Sequence, residues 1–257
     1  MHKKTVLITG STSGIGLGIA KAFAEKGYNI VFNGLEANGA AIAAGVALQY
    51  KAEHIFSPVN MLDTDGLKSL VYAAIQRFGT LDVLVNNAGI QHVSPVEHFD
   101  TARWNDVLAV NLSAPFHLIK AVWPYMKKNN FGRIINIASA HGLVASENKS
   151  AYVASKHGLI GLTKTAALEG AAHNITCNAV CPGYVHTPLV QQQITGRAGE
   201  YGLTEEQAAE KLFLSKHAIK QFIPVEAIAA IALFLASPEA YAVTGGAFPV
   251  DAGWVAQ

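Results

Sequence analysis

A chain of 257 residues with 19 Lys and Arg against 18 Asp and Glu has a formal charge of +1; 51% of it is hydrophobic and only 14% is charged. That composition excludes intrinsic disorder and supplies a core large enough to need no disulfide or metal staple. No segment carries a basic run, which argues against nucleic-acid and membrane-surface partners, and the low charge predicts further burial between copies of the chain.

In chain order, strands are predicted at residues 5–8, 29–32, 54–58, 81–86, 133–138, 176–180 and 247–250. Most are continuous apolar runs, as strands covered on both faces require. Helices are predicted between them at 14–26, 65–78, 101–128, 151–173 and 224–236. Strand–helix alternation with right-handed crossovers implies a parallel, doubly wound α/β sheet of about seven strands with helices on both faces. No linker or repeat interrupts it, so residues 1–257 read as a single Rossmann-type domain. The segment 187–223 has no strand; Gly196, Gly199 and Gly202 stand ahead of a helical pattern. Following the sixth strand, it should cover the carboxyl edge of the sheet as a helical lid.

Cys177 and Cys181, four apart in an apolar segment, read as small buried hydrophobes in a reducing compartment. No Cys or His spacing suits zinc, so no metal is expected. Met1-His2-Lys3-Lys4 leads into too short an apolar run for a signal peptide, and residues 228–236 are too few to span a bilayer. The expectation is a cytoplasmic protein.

The first strand runs into Gly10-Ser11-Thr12-Ser13-Gly14-Ile15-Gly16 and then a helix. Glycines at a strand-to-helix turn let the backbone approach a pyrophosphate, whose charge the helix N-terminus favours. Tyr152 and Lys156 are four apart and share a helical face. A lysine cation beside a tyrosine favours the phenolate, the form that can take a proton from an alcohol. Alone, such a pair is more often a solvated helix face.

The spacing of the glycine turn, Asn86-Asn87-Ala88-Gly89 after the fourth strand, Ser139 and Asn111 around Tyr152 and Lys156, and Pro182-Gly183 after the sixth strand together resemble the short-chain dehydrogenase/reductase family. The match covers essentially the whole chain in the right order. It implies a catalytic tetrad of Asn111, Ser139, Tyr152 and Lys156, with Ser139 orienting the substrate oxygen and Asn111 holding a relay water. It also implies cofactor contacts from the glycine turn and from Leu35, Asn60, Met61, Asn87, Ala88, Gly89, Val110, Tyr152, Lys156, Pro182, Gly183 and Val185. Where family members that bind NADP carry a cation, this chain has Ser13 and Asn33-Gly34-Leu35-Glu36, and Glu36 would repel a phosphate. The expected cofactor is NAD, although the acidic residue common in NAD-binding members would fall at Gly34. Asn60 stands where many members have Asp; its amide oxygen can still accept from an adenine amine.

Gln91, His141, Lys149 and Gln193 are each unremarkable as exposed loop residues, but all four fall at carboxyl-edge loops around the tetrad. Cationic and amide donors converging there suit a small carboxylate rather than a sterol or long acyl chain. The residues around them resemble family members that act on a short hydroxy acid. That implies NAD-linked interconversion of (R)-3-hydroxybutyrate and acetoacetate by a homotetramer, with substrate contacts from Gln91, Ser139, His141, Lys149, Tyr152, Gln193 and Trp254. Tyr184 replaces a Trp usual in those members, Ala252 replaces a Gly, and Trp254 reads equally as a subunit-interface aromatic. Two other readings compete. One is a family enzyme for a different hydroxy acid, a 3-oxoacyl substrate or a sugar; the missing cations oppose the NADPH-dependent ones, and the Gln/His/Lys set opposes an uncharged sugar. The other is a non-catalytic NAD sensor, which predicts a decayed tetrad, whereas this one is complete.

Overall fold

The computed structural model describes residues 3–256, so the first two residues of the N-terminal stretch discussed above lie outside it. Seven parallel strands form one sheet in the order β3-β2-β1-β4-β5-β6-β7: β1 Thr5–Ile8, β2 Asn29–Asn33, β3 His54–Ser57, β4 Val83–Asn86, β5 Gly132–Ile137, β6 Ile175–Pro182 and β7 Ala247–Val250. Each was anticipated within a few residues, because a strand buried on both faces is an uninterrupted apolar run. Its successive side chains feed two different cores. Val6 and Ile8 of β1 join one cluster under α1 (Gly14–Glu25), α2 (Gly39–Tyr50) and α9 (Val225–Ala236). Leu7 between them joins the opposite cluster, under α3 (Thr64–Phe78), α5 (Ala114–Asn129) and α6 (Ser150–Gly170). Full burial of such a side chain contributes roughly 1.5–3 kcal/mol, so the alternation fixes both layers at once.

The strand order reverses between β1 and β4, and the loops after those two strands meet there. Thr9 Oγ1 accepts from the backbone N–H groups of Asn87 and Ala88 at 2.9 Å. This is the position at which doubly wound sheets open a crevice for ligands.

Two helices differ from expectation. The segment predicted as one helix over 101–128 is α4 (Thr101–Leu108), a π-helical turn at Ala109–Ser113, then α5. A π turn holds one residue more than an α turn, and here it carries Asn111. In the lid segment, Gly196 and Gly199 do not precede a helix but lie inside one, α7 (Pro188–Tyr201). Thr187 caps its start by accepting from the Val190 amide, Pro188 follows the cap, and Gly202 closes it at φ 62°. These end signals outweigh two interior glycines, each costing about 1 kcal/mol relative to alanine. After α7 come α8 (Glu205–Ala208) and a π turn at Ala209–Phe213. No helix among the described residues is long and apolar enough to cross a membrane.

Candidate active site

The glycine turn is shaped by contact, not only by flexibility. A β-carbon at Gly16 would lie 2.1 Å from the Gly10 carbonyl oxygen and 2.5 Å from Asn87 Nδ2. Asn87 Nδ2 donates to the carbonyls of Thr9 (2.8 Å) and Gly10 (3.1 Å), so the turns after β1 and β4 are laced together. At the start of α1, Ser13 makes no side-chain capping bond and the first turn holds no acid, which leaves the helix N-terminus receptive to an anion. These features fit a dinucleotide pyrophosphate. Ser11 hydrogen-bonds the end of β2, its hydroxyl accepting from the Asn33 N–H at 3.0 Å.

Beside the turn stands Glu36. Thr12 and Ser13 donate their hydroxyls to its two carboxylate oxygens, the Ser13 bond measuring 2.9 Å. Burial pushes this carboxyl up, but the hydrogen bonds, Thr12's foremost, hold it below the usual range, so it is anionic at neutral pH. Gly34 has no room for an acid: a β-carbon there would lie 1.9 Å from Thr12 Oγ1. Asn33, which sequence reasoning did not single out, organises this end of β2. It is buried, and its amide donates to the carbonyls of Ser57 and Val59 while its Oδ1 accepts from Gly10 N. Asn60 Oδ1 is already engaged by the Leu62 amide at 3.0 Å, leaving one lone pair for any adenine contact. Leu35 is exposed, whereas Met61 and Val110 are buried in the core.

The predicted tetrad comes from four places in the fold: the π turn, the loop after β5, and two successive turns of α6. A cavity of about 220 Å³ is lined by Ser139, Tyr152 and Lys156, and by Ile15, Asn87, Gly89, Pro182, Gly183 and Val185 from the predicted cofactor set. It is also lined by all five side chains expected to meet only the substrate: Gln91, His141, Lys149, Gln193 and Trp254. Lys156 is buried and donates Nζ to the Ile137 carbonyl at 2.8 Å; burial lowers its pKa to about 8. Its Nζ lies 5.6 Å from the centre of the Tyr152 ring.

For Tyr152, whose phenolate the lysine and a bound nicotinamide are together expected to favour, burial raises the pKa among the chain's own groups and the Ser139 hydroxyl pulls it down. Asn111, expected to hold a relay water, has both side-chain N–H groups engaged by the chain and one Oδ1 lone pair left. Nδ2 donates to the Ile90 carbonyl (2.9 Å) and Ser155 Oγ (3.1 Å), and Oδ1 accepts from Ile90 N (2.9 Å). The π turn puts it beside the lysine all the same: a β-carbon at Gly89 would lie 3.3 Å from Asn111 Oδ1 and 3.7 Å from Lys156 Nζ.

His141 is buried, with Nε2 2.9 Å from Ser146 Oγ and its ring edge-on to Tyr152 and Trp254. Burial, then the charges of Lys149 and His157, lower its pKa to about 4, so the ring is neutral. Lys149, just ahead of α6, is half-buried and pairs with no carboxylate among the described residues; burial and then Arg197 lower its pKa. Trp254 lines the cavity within the single chain, stacked on Tyr184 at 5.4 Å and 18°. Behind it, His217 is fully buried, and sequence reasoning missed it. Its Nε2 accepts from the Tyr184 amide (3.1 Å), so Nδ1 carries the proton, donated to the Gln221 carbonyl (2.9 Å). A single histidine in a loop gives no sequence signal for such a strut. Ala252, where a glycine was noted as usual, adopts φ 54° beside Trp254.

A parallel sheet with a glycine turn at its reversal point and a Ser–Tyr–Lys cleft at its carboxyl edge defines a class, and the sequence comparison agrees with it. Residues 4–198 match the short chain dehydrogenase family, and the chain belongs to that family. It is 48% identical to a D-beta-hydroxybutyrate dehydrogenase of Rhizobium meliloti (strain 1021), over 99% of each chain. It is 47% identical to a D-beta-hydroxybutyrate dehydrogenase of Cupriavidus necator, over 100% of each. Among solved structures, an actinorhodin polyketide ketoreductase variant with NADPH superposes with a TM-score of 0.93 at 31% identity, covering 99% of this chain and 98% of that one.

Proposed function

We propose that this chain interconverts (R)-3-hydroxybutyrate and acetoacetate, with NAD as cofactor. The observation that carries the reading is the 220 Å³ cleft, which brings Tyr152, Lys156 and Ser139 together with Lys149, a half-buried cation without a carboxylate partner. The full-length likeness to two proteins named D-beta-hydroxybutyrate dehydrogenase supports the same substrate.

The substrate carboxylate pairs with Lys149 and takes neutral donors from Gln91, Gln193 and His141. That leaves the C3 hydroxyl at Tyr152 and Ser139. Ser139 orients the oxygen, and the Tyr152 phenolate takes its proton. A bound nicotinamide supplies the hydride acceptor, and its positive ring supplies the charge that favours the phenolate against burial. Lys156, anchored by Ile137, presents its ammonium to the same site, and Asn111 fixes the Ile90 loop beside it. Glu36 opposes a 2′-phosphate, which supports NAD over NADP.

The test follows reduced-cofactor absorbance with (R)-3-hydroxybutyrate, its methyl ester and glucose. The acid should be turned over far better than the ester. Lys149→Ala should lose about 2–4 kcal/mol in kcat/KM for the acid, because a desolvated anion loses its charged partner, with little loss for the ester. Equal losses would mean that Lys149 acts only through the tyrosine. Turnover of none of the three by the wild type would favour a cofactor-sensing protein.

A further inference from the structure

The 220 Å³ cleft adjoins a much larger groove of about 1090 Å³, and the two share Gln91, Lys149, Tyr184, Gln193 and Trp254 in their walls. Sites for whole drug-sized ligands occupy about 300–1,000 Å³, so the groove is far roomier than a four-carbon acid requires. It lies outside the chemistry and leads to it. On α7, Arg197 follows Gln193 by four residues and therefore shares its face, and both line the groove.

Arg197 is only partly engaged. Its Nη1 bonds Glu200 Oε2 at 3.0 Å and reaches the Tyr201 hydroxyl at 3.5 Å. Among the described residues neither Nε nor Nη2 has a hydrogen-bond partner, so one edge of the guanidinium fork is open to a carboxylate. Its charge also reaches Lys149, whose ammonium it disfavours. The groove's acids are Glu147 and Glu200, and Glu200 is the one tied to Arg197. Three cations line the groove: Arg197 and Lys216 in its outer part, and Lys149 at the junction with the inner cleft, where the charge of Arg197 is felt.

We propose that Arg197 is a specificity-determining residue, which captures the substrate carboxylate in the outer groove and passes it to Lys149. The proposal rests on the activity proposed above. A charge at the rim of a site acts chiefly on the rate of capture and on its salt dependence. An incoming anion senses Arg197 across a Debye length of about 10 Å at 0.1 M salt and about 3 Å at 1 M.

The experiment measures kcat/KM for (R)-3-hydroxybutyrate and for its methyl ester at low and high sodium chloride. At low salt, Arg197→Gln should lower the value for the acid by about three- to tenfold, mainly through KM, and change the ester by less than about twofold. It should also flatten the salt dependence that the wild type shows with the acid. Arg197→Lys, which keeps the charge, should retain most of the wild-type value. Glu200→Gln, which frees the guanidinium, should raise it. A change for the acid below about twofold in Arg197→Gln, or equal losses for acid and ester, overturns the proposal. A wild type inert towards the acid overturns the activity itself, whereas an active wild type with an indifferent Arg197→Gln overturns only the capture role.

Discussion

His141 must stay neutral to keep an acceptor nitrogen in the cleft, and its surroundings make the neutral form part of the folded state. Between pH 6.5 and about 4 the folded ring binds fewer protons than the unfolded one. Its contribution to stability is therefore complete above pH 6.5 and is lost as pH falls towards 4. The span from 6.5 to about 4 corresponds to roughly 3 kcal/mol. In denaturant titrations at pH 7 and pH 4.5, His141→Gln should reduce the acid-induced loss of stability by roughly 2 kcal/mol. An undiminished loss would place the acid sensitivity elsewhere. The same neutrality leaves the proposed pairing with a substrate carboxylate to Lys149, since Lys156 is tied to the Ile137 carbonyl.

At the scale of an element, the β1–α1 turn and the end of β2 act together through Glu36. Since a side chain at Gly34 would collide with Thr12 Oγ1, the acid arrives two residues later and is fixed by two hydroxyls of the turn itself. Glu36→Ala should lower the preference for NAD over NADP by about tenfold, read as the ratio of kcat/KM for the two cofactors. An unchanged ratio would show that the carboxylate does not face the 2′ position. The seven strands, the glycine turn and the residues of the inner cleft were legible in the sequence, because burial on both faces and fixed spacing each leave a local pattern. What was not legible depends on backbone detail or on distant partners. The π turn at Ala109–Ser113 hides inside an unbroken helical pattern, and α7 hides behind glycines that read as breaks. Asn33 and His217 hold together segments more than 20 residues apart, which no local window reveals.

For the whole molecule, the low charge leads us to propose a homotetramer, and the exposed apolar side chains fit that proposal. Phe116 on α5 is 46% exposed and Leu168 on α6 is 82% exposed, on the two helices expected to meet a neighbour. Phe234 of α9 and Tyr241 after it add a second apolar area. Burying such side chains between copies is the usual use of exposed apolar surface in closed oligomers. Light scattering at micromolar concentration should give about four times the chain mass. A stable monomer would require another explanation for these side chains.

The aromatic run from Tyr152 through His141 and Trp254 to Tyr184 and His217 draws on four separate stretches of chain. For inheritance, this ties positions together that no stretch of sequence connects. A Tyr where relatives were expected to carry a Trp stacks on the Trp254 indole, and an Ala held at φ 54° where they were expected to carry a Gly lies two residues before it. Neighbours in one packed cluster do not change independently, so a replacement accepted at 184 is one that 252 and 254 already accommodate. A residue transplanted alone into this corner of the enzyme from a relative would therefore arrive without the neighbours that make it fit.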